Sequence, residues 1–113
     1  MNTCLFCSIA AGEKGTTFRY EDERVAAFDD VSPKAPTHIL IVPKEHIAST
    51  AEMTQVDEAI VGHMVHVAKQ IAQRAGIDEQ GYRLVFNTRA HAGQTVDHIH
   101  LHLLGGRPLG SMV

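Results

Sequence analysis

Three of the chain's eight histidines, His98, His100 and His102, stand in strict alternation with Ile99, Leu101 and Leu103. Period-two alternation is the signature of an extended strand, whose successive side chains point to opposite faces. Residues 97–104 are therefore predicted to form one strand, with chemistry on one face and core on the other. Same-face positions along a strand lie about 6.5–7 Å apart, so the three imidazoles share one small volume. Three cations there would repel one another, which keeps at least one ring neutral near neutral pH. A neutral imidazole is both a nucleophile and a base.

Two chemistries suit such a strand. In the first, an H-x-H pair and a third ligand hold catalytic zinc; the H-x-H-x-D-H pattern of metallo-hydrolases is not found in the sequence. In the second, the central histidine attacks phosphorus while its neighbours bind phosphate oxygens and handle the leaving group's proton. An attacking ring needs one free nitrogen, and its other N–H must be fixed by an acceptor, which the strand's own carbonyls supply. Two further groups invite ligand readings. Cys4 and Cys7 have C-x-x-C spacing, which in a reducing compartment points to metal or redox chemistry before a structural disulfide. Asp29 and Asp30 are adjacent acids at a strand end, to be weighed against a solvated loop.

The elements that must position these groups follow from periodicity. Leu5, Ile9 and Ala10 have helical spacing before Gly12, predicting a short first helix with Cys4 and Cys7 as i,i+3 neighbours on one face. Residues 18–20 and 25–28 flank a polar turn as a hairpin. A loop with Pro33 and Pro36 leads to residues 38–43, nearly all apolar, a central strand buried on both faces and stopped by Pro43. Thr54 and Asp57 form a capping pattern ahead of the one long amphipathic helix, which runs to Gly76. His63 and His66 inside it read as a solvated face rather than a metal pair. Residues 82–87 alternate as another strand, and residues 88–95 form a loop into the histidine strand. The sum is an α+β fold: an antiparallel sheet of five strands with one short and one long helix. Asp30, His38, Asn87, Gln94, Thr95 and the histidines collect at strand ends, as an active site requires.

With 113 residues the chain is expected to be one domain, residues 1–113, that gains from a partner copy. A formal charge of −3 with scattered lysine and arginine gives no basic stripe, which disfavours nucleic acid and membrane surfaces as partners. No apolar run approaches the length of a membrane span and no signal-like segment opens the chain, so a cytoplasmic location is expected. Neither a G-x-G-x-x-G nor a G-K-[S/T] phosphate loop occurs.

The run from His98 to Leu104 followed by Gly105-Gly106-Arg107-Pro108 resembles the histidine triad (HIT) superfamily, in particular the Hint branch of purine nucleoside phosphoramidases in its bacterial form. The likeness extends through residues 28–38, with their Ser-Pro-x-Ala-Pro-Thr-His block, Ile41-Val42-Pro43-Lys44, Asn87 and Gly93-Gln94-Thr95, and so covers nearly the whole chain. The resemblance implies a homodimer that binds a purine nucleotide and cleaves the P–N bond of a nucleoside 5′-phosphoramidate or an aminoacyl adenylate. His100 would be the nucleophile, forming a nucleotidyl-histidine that water resolves to AMP or GMP. His102, His38 and His98 would complete the catalytic set. Asp30 would accept from the ribose hydroxyls, Asn87, Gln94 and Thr95 would contact phosphate, sugar or leaving amine, and Phe6, Ile9, Phe28 and Val31 would enclose the base. It also implies structural Zn2+ on Cys4, Cys7, His46 and His98, with no cofactor required for the chemistry. Thr95 departs from the branch's more usual serine; its hydroxyl is kept, but β-branching narrows its rotamers. Two alternatives stay open: a dinucleoside polyphosphate hydrolase of the Fhit type, and a zinc-stapled nucleotide-binding module without catalysis.

Overall fold

Residues Thr37–Pro43, β-branched and apolar at most positions, have side chains that need cover on both faces of a sheet, and the fold is built outward from them. In a computed structural model, which describes residues 4–112, they form the central strand β3. Around it lie β1 (Tyr20–Glu21), β2 (Val25–Asp29), β4 (Tyr82–Phe86) and β5 (Leu101–Gly105). The strand order is β1-β2-β3-β5-β4, every pair antiparallel. The expected α+β architecture, with five strands, one short helix α1 (Leu5–Ala10) and one long helix α2 (Glu58–Arg74), is therefore observed.

Alternation along the strands divides the interior into two. Val25, Ala27, Ile39, Ile41, Leu101 and Leu103 face α2, which buries Ile60, Met64, Val67, Ala68, Ile71 and Ala72 against them. Ala26, Phe28, Leu40 and Val42 face the other way, onto Phe6 and Ala10 of α1. The second layer is the thin one, and the histidines occupy the room it leaves.

The helix ends follow local chemistry. Before α2, Asp57 Oδ2 accepts the Thr54 N–H at 2.8 Å, the contact expected from the capping pattern. After it, Gly76 at φ +73° lets the Ile77 N–H reach the Ala72 carbonyl at 3.1 Å and its own N–H reach Gln73 at 3.2 Å, a Schellman closure. Cys4 lies outside α1, as its N-cap, and its Sγ accepts from the Cys7 N–H at 3.3 Å. No helix among the described residues is long and apolar enough to cross a membrane.

Three expectations need correction. The histidine strand starts at Leu101 rather than at Asp97. The ladder pairs Ile41 with Leu101, so Pro43 would next face Ile99; proline has no N–H to donate, and pairing ends there. Ile99 N–H bonds instead to Ile47 O at 2.6 Å. The strand read as residues 82–87 stops at Phe86, and the following loop holds a 3₁₀ turn at Ala90–Ala92. His63 is more than a solvated helix residue: its Nε2 lies 2.6 Å from Asp22 Oδ2 and ties α2 to the hairpin. Asp22 also accepts from Tyr20 Oη and from the Arg24 and Val25 N–H groups at 2.7–2.9 Å. Burial raises the pKa of the Asp22 carboxyl, but His63 and these donors outweigh it and hold it well below the usual range.

Candidate functional site

Although residues 97–100 are not in the ladder, side-chain alternation persists through them. Ile99, Leu101 and Leu103 join the core under α2, while His98 and His100 are buried on the α1 side at 0% and 6% exposure. The Phe6 ring stands edge-on to His100 at 5.0 Å and to His98 at 6.1 Å. His102, on β5, meets His100 at 5.0 Å between ring centroids and His38, from the start of β3, at 5.2 Å.

The hydrogen bonds assign each ring's proton. His100 Nδ1 is 2.7 Å from the His98 carbonyl, which can only accept, so Nδ1 carries the hydrogen and Nε2 keeps a free lone pair. The Lys34 N–H donates to His38 Nδ1 at 3.0 Å, so His38 carries its hydrogen on Nε2. That Nε2–H donates to His102 Nδ1 at 2.9 Å, leaving the His102 hydrogen on Nε2. His98 Nε2–H donates to the Pro43 carbonyl at 2.8 Å, so its Nδ1 lone pair points elsewhere.

Burial lowers the His102 pKa to about 4, and His100 and His38 reinforce the shift. Burial likewise lowers that of His38, with Asp30 opposing and Lys34 adding to the effect. The sign for stability follows. An unfolded chain protonates His102 near 6.5 and the folded chain only near 4, so the contribution is complete above the higher value and is lost as pH falls to the lower. The urea midpoint is expected to drop between pH 7 and pH 5, and less steeply in His102→Asn than in wild type. Equal slopes in the two proteins would overturn the assignment.

Beside these rings a cavity of about 490 Å3 is lined by Asp30, His38, Asn87, Thr95 and His102, together with Ser32 and Lys34. Most of the predicted polar residues are thus brought to one cleft. Asp30 Oδ1 accepts from the Ser32 N–H at 2.8 Å, and its Oδ2 lies 3.4 Å from His38 Nε2. Gln94 is placed otherwise: its amide donates to the Ala48 and Val96 carbonyls and accepts from the Arg89 N–H at 2.7–2.9 Å, so it braces the turn that carries Thr95. Phe6 and Phe28 pack edge-to-face at 5.7 Å and are nearly buried, Ile9 is half-buried, and Val31 is 98% exposed. A cavity of similar size between Gly76, Gly81 and Arg107 has neither imidazole nor carboxylate in its lining.

On the far side of His98 a second cluster forms. Cys4 Sγ and Cys7 Sγ lie 3.2 and 3.4 Å from His98 Nδ1, and His46 Nδ1 is 3.3 Å from His98 Nδ1 and 3.4 Å from Cys7 Sγ. All four ligand atoms fall within 4.8 Å of one another. Tetrahedral zinc separates two nitrogens by about 3.3 Å and nitrogen from sulfur by about 3.6 Å, so a Cys₂His₂ set of these dimensions fits. The Pro43 carbonyl on His98 Nε2 supplies the outer acceptor that orients a metal-binding imidazole. Asp30, His38 and His102 also converge within 4.8 Å, but there the 2.9 Å nitrogen pair already shares a hydrogen and the Lys34 amide occupies His38 Nδ1. That group is built to relay a proton rather than to hold a cation.

Sequence reasoning missed Lys34, whose role lies in its backbone N–H and leaves no mark in residue type. It also missed the bond from Arg107 Nη2 to the Lys34 carbonyl at 2.9 Å.

The HIT domain family model matches residues 11–109. A purine nucleoside phosphoramidase from Escherichia coli K12 is 49% identical over 109 residues, spanning 96% of this chain and 92% of the relative. An uncharacterized HIT-like protein from Synechococcus elongatus is 47% identical over 93% of this chain and 91% of its own length. Among solved structures, a HIT family hydrolase from Legionella pneumophila superposes with TM-score 0.91 at 49% identity, covering 96% of this chain and 100% of that one. A histidine triad protein from Clostridium difficile gives TM-score 0.96 at 42% identity, covering 100% and 98%.

Proposed function

The chain belongs to the HIT domain family, and from that premise we propose that it is a purine nucleoside phosphoramidase, with residues 1–113 as one HIT domain. The observation that carries the reading is the pairing of donors around His100. Its Nδ1–H is spent on the His98 carbonyl, and its Nε2 lone pair remains for attack. In the proposed first step Nε2 forms a bond to the α-phosphorus of a nucleoside 5′-phosphoramidate and the P–N bond breaks. The amine leaves with a proton from His102 Nε2–H, which the His38 relay keeps on that nitrogen, and the negative charge left on the His102 ring is offset by the positive charge gained by the phosphorylated His100 ring, 5.0 Å away. Water then attacks the nucleotidyl-histidine and returns a proton to His102, AMP or GMP departs, and His100 is regenerated.

Asp30, Asn87 and Thr95 line the same cleft, which supports the first as ribose acceptor and the others as phosphate or amine contacts. Gln94 would act through the turn it braces, and Phe6, Ile9, Phe28 and Val31 would enclose the base, Val31 as its exposed rim. Cys4, Cys7, His46 and His98 would hold zinc, which would tie α1 to the segment after β3 and to the approach to β5. A reducing cytoplasm would keep the two thiols available as ligands. A homodimer is supported by β4, a sheet edge whose residues are only half-buried, and by Val65, exposed on α2; its observable is a light-scattering mass of about twice 12.3 kDa.

The deciding assay offers wild-type protein an adenosine phosphoramidate and diadenosine polyphosphates side by side. Specificity for the phosphoramidate is expected to be higher by about 100-fold or more, a difference in transition-state binding of about 3 kcal/mol. A preference for the polyphosphate would transfer the chain to the Fhit type, and turnover of neither would leave a binding module.

A further inference from the structure

Arg107 sits outside the cleft, yet its guanidinium is joined to the proton relay through Lys34, whose carbonyl it holds and whose N–H meets His38. The pairing of Thr37 with Gly105 brings the end of β5 alongside the start of β3. Gly106, at φ +96°, turns the chain there; a Cβ at this position would lie 2.9 Å from Pro36 Cβ, so the turn packs directly on the loop before β3. Arg107 then places two donors of one rigid fork on two carbonyls, Nη1 on Pro108 and Nη2 on Lys34, both at 2.9 Å. The peptide on the other side of Lys34 aims its N–H at His38 Nδ1 at 3.0 Å. While that amide stays in place, a hydrogen on Nδ1 would point into another hydrogen, so both the Nδ1–H tautomer and the imidazolium of His38 are disfavoured.

We propose that Arg107 is a positioning residue of the histidine triad: by holding the Lys34 carbonyl it fixes the Lys34 amide on His38, and through it the tautomers of His38 and His102. The inference deepens the phosphoramidase reading and rests on it for its catalytic consequence alone. Four groups face the relay. Asp30, at the end of β2, favours a charged His38; the Lys34 ammonium, parked on the Ser32 carbonyl at 3.0 Å, opposes it; His102 from β5 accepts its proton; and His100 stands behind His102. Releasing the Lys34 peptide removes the steric bar and leaves Asp30 to draw a second proton onto His38. His102 then loses its fixed donor and no longer keeps its own hydrogen on Nε2.

The test uses the full chain with ring-labelled histidine. In wild type, long-range proton–nitrogen NMR is expected to show His38 as the Nε2–H tautomer alone. Arg107→Gln should populate the Nδ1–H form and the imidazolium at a higher pH than wild type, while its melting temperature stays within a few degrees. Turnover of the phosphoramidate should fall about tenfold near pH 6 and less than about threefold near pH 8, with KM within about twofold. Arg107→Lys, which keeps a cationic donor but on a single nitrogen in place of the fork, should recover part of both effects. A His38 spectrum unchanged in Arg107→Gln overturns the proposal, as does an activity loss equal at both pH values, or a variant that fails to fold. If the tautomer shifts but wild type turns over no phosphoramidate, the functional reading fails and the positioning role stands.

Discussion

Replacing His100 by alanine is expected to stop AMP release from an adenosine phosphoramidate, lowering turnover by about 10⁴-fold or more while AMP still binds within a few-fold of wild type. The size follows from the division of labour. His102 and His38 are committed to each other, Nε2–H to Nδ1 at 2.9 Å, and neither has a lone pair free of that chain. His98 has spent its Nε2–H on Pro43 and directs Nδ1 at the cysteines. Only His100 combines an anchored Nδ1–H with an unspent nitrogen among these four rings. Binding should survive because the cleft residues Asp30, Asn87 and Thr95 are untouched and His100 is not in its lining. His100→Asn is the companion variant, since it keeps a side-chain N–H while removing the attacking nitrogen and leaves less of a void beside Phe6. Single-turnover assays and AMP titration of both variants decide the matter. Retained turnover in either would mean that another group attacks, or that water does so directly.

The alternation of residues 98–103 was legible because it outlasts the strand: facing is set by extended backbone, and the ladder only by available N–H groups. The strand's true start was hidden because Pro43 acts from a neighbour that sequence patterning does not register. The two-sided burial of residues 38–43, the capping of α2 and its stop at Gly76 were likewise readable from residue types. The convergence of Asp30, His38 and Asn87 could be foreseen, since each lies at a strand end, whereas Thr95 reaches the cleft from the loop ahead of β5. The direction of the Gln94 amide could not, because three backbone groups from separate places claim it. The same holds for His63, whose helical spacing matches any solvated face and whose partner Asp22 is in a hairpin turn. Arg107 and Lys34 mark the clearest limit: one residue's carbonyl and amide connect a surface guanidinium to a buried ring. No pattern of side-chain types encodes that connection.

Removing the zinc proposed for Cys4, Cys7, His46 and His98 is expected to lower the melting temperature by about 10 °C or more, with Cys4→Ala giving a similar loss and a chelator adding nothing further to that variant. The cluster joins parts of the chain that have few other reasons to stay together. Cys4 caps, and Cys7 belongs to, a six-residue helix too short to persist alone, and His46 lies in an irregular segment after β3. His98 lies where pairing with β3 has already ended. Without a cation the two thiols and two imidazoles would present lone pairs to one another at 3.2–3.4 Å, and thiol protons would relieve this only in part. Because α1 contributes Phe6 to the thinner core and to the edge of the His100 ring, its loosening is expected to be felt at the site, but modestly. No ligand of the cluster other than His98 belongs to the triad, and His98 meets His100 through its backbone carbonyl. Turnover measured well below both melting points should therefore remain within several-fold of the untreated protein after brief chelation. Elemental analysis should give about one zinc per chain in wild type and little in Cys4→Ala. Protein that carries no zinc and melts at the same temperature in both forms would show that the four residues do not form a metal site. Abolished turnover on chelation, with the melting temperature unchanged, would instead place the metal in the chemistry.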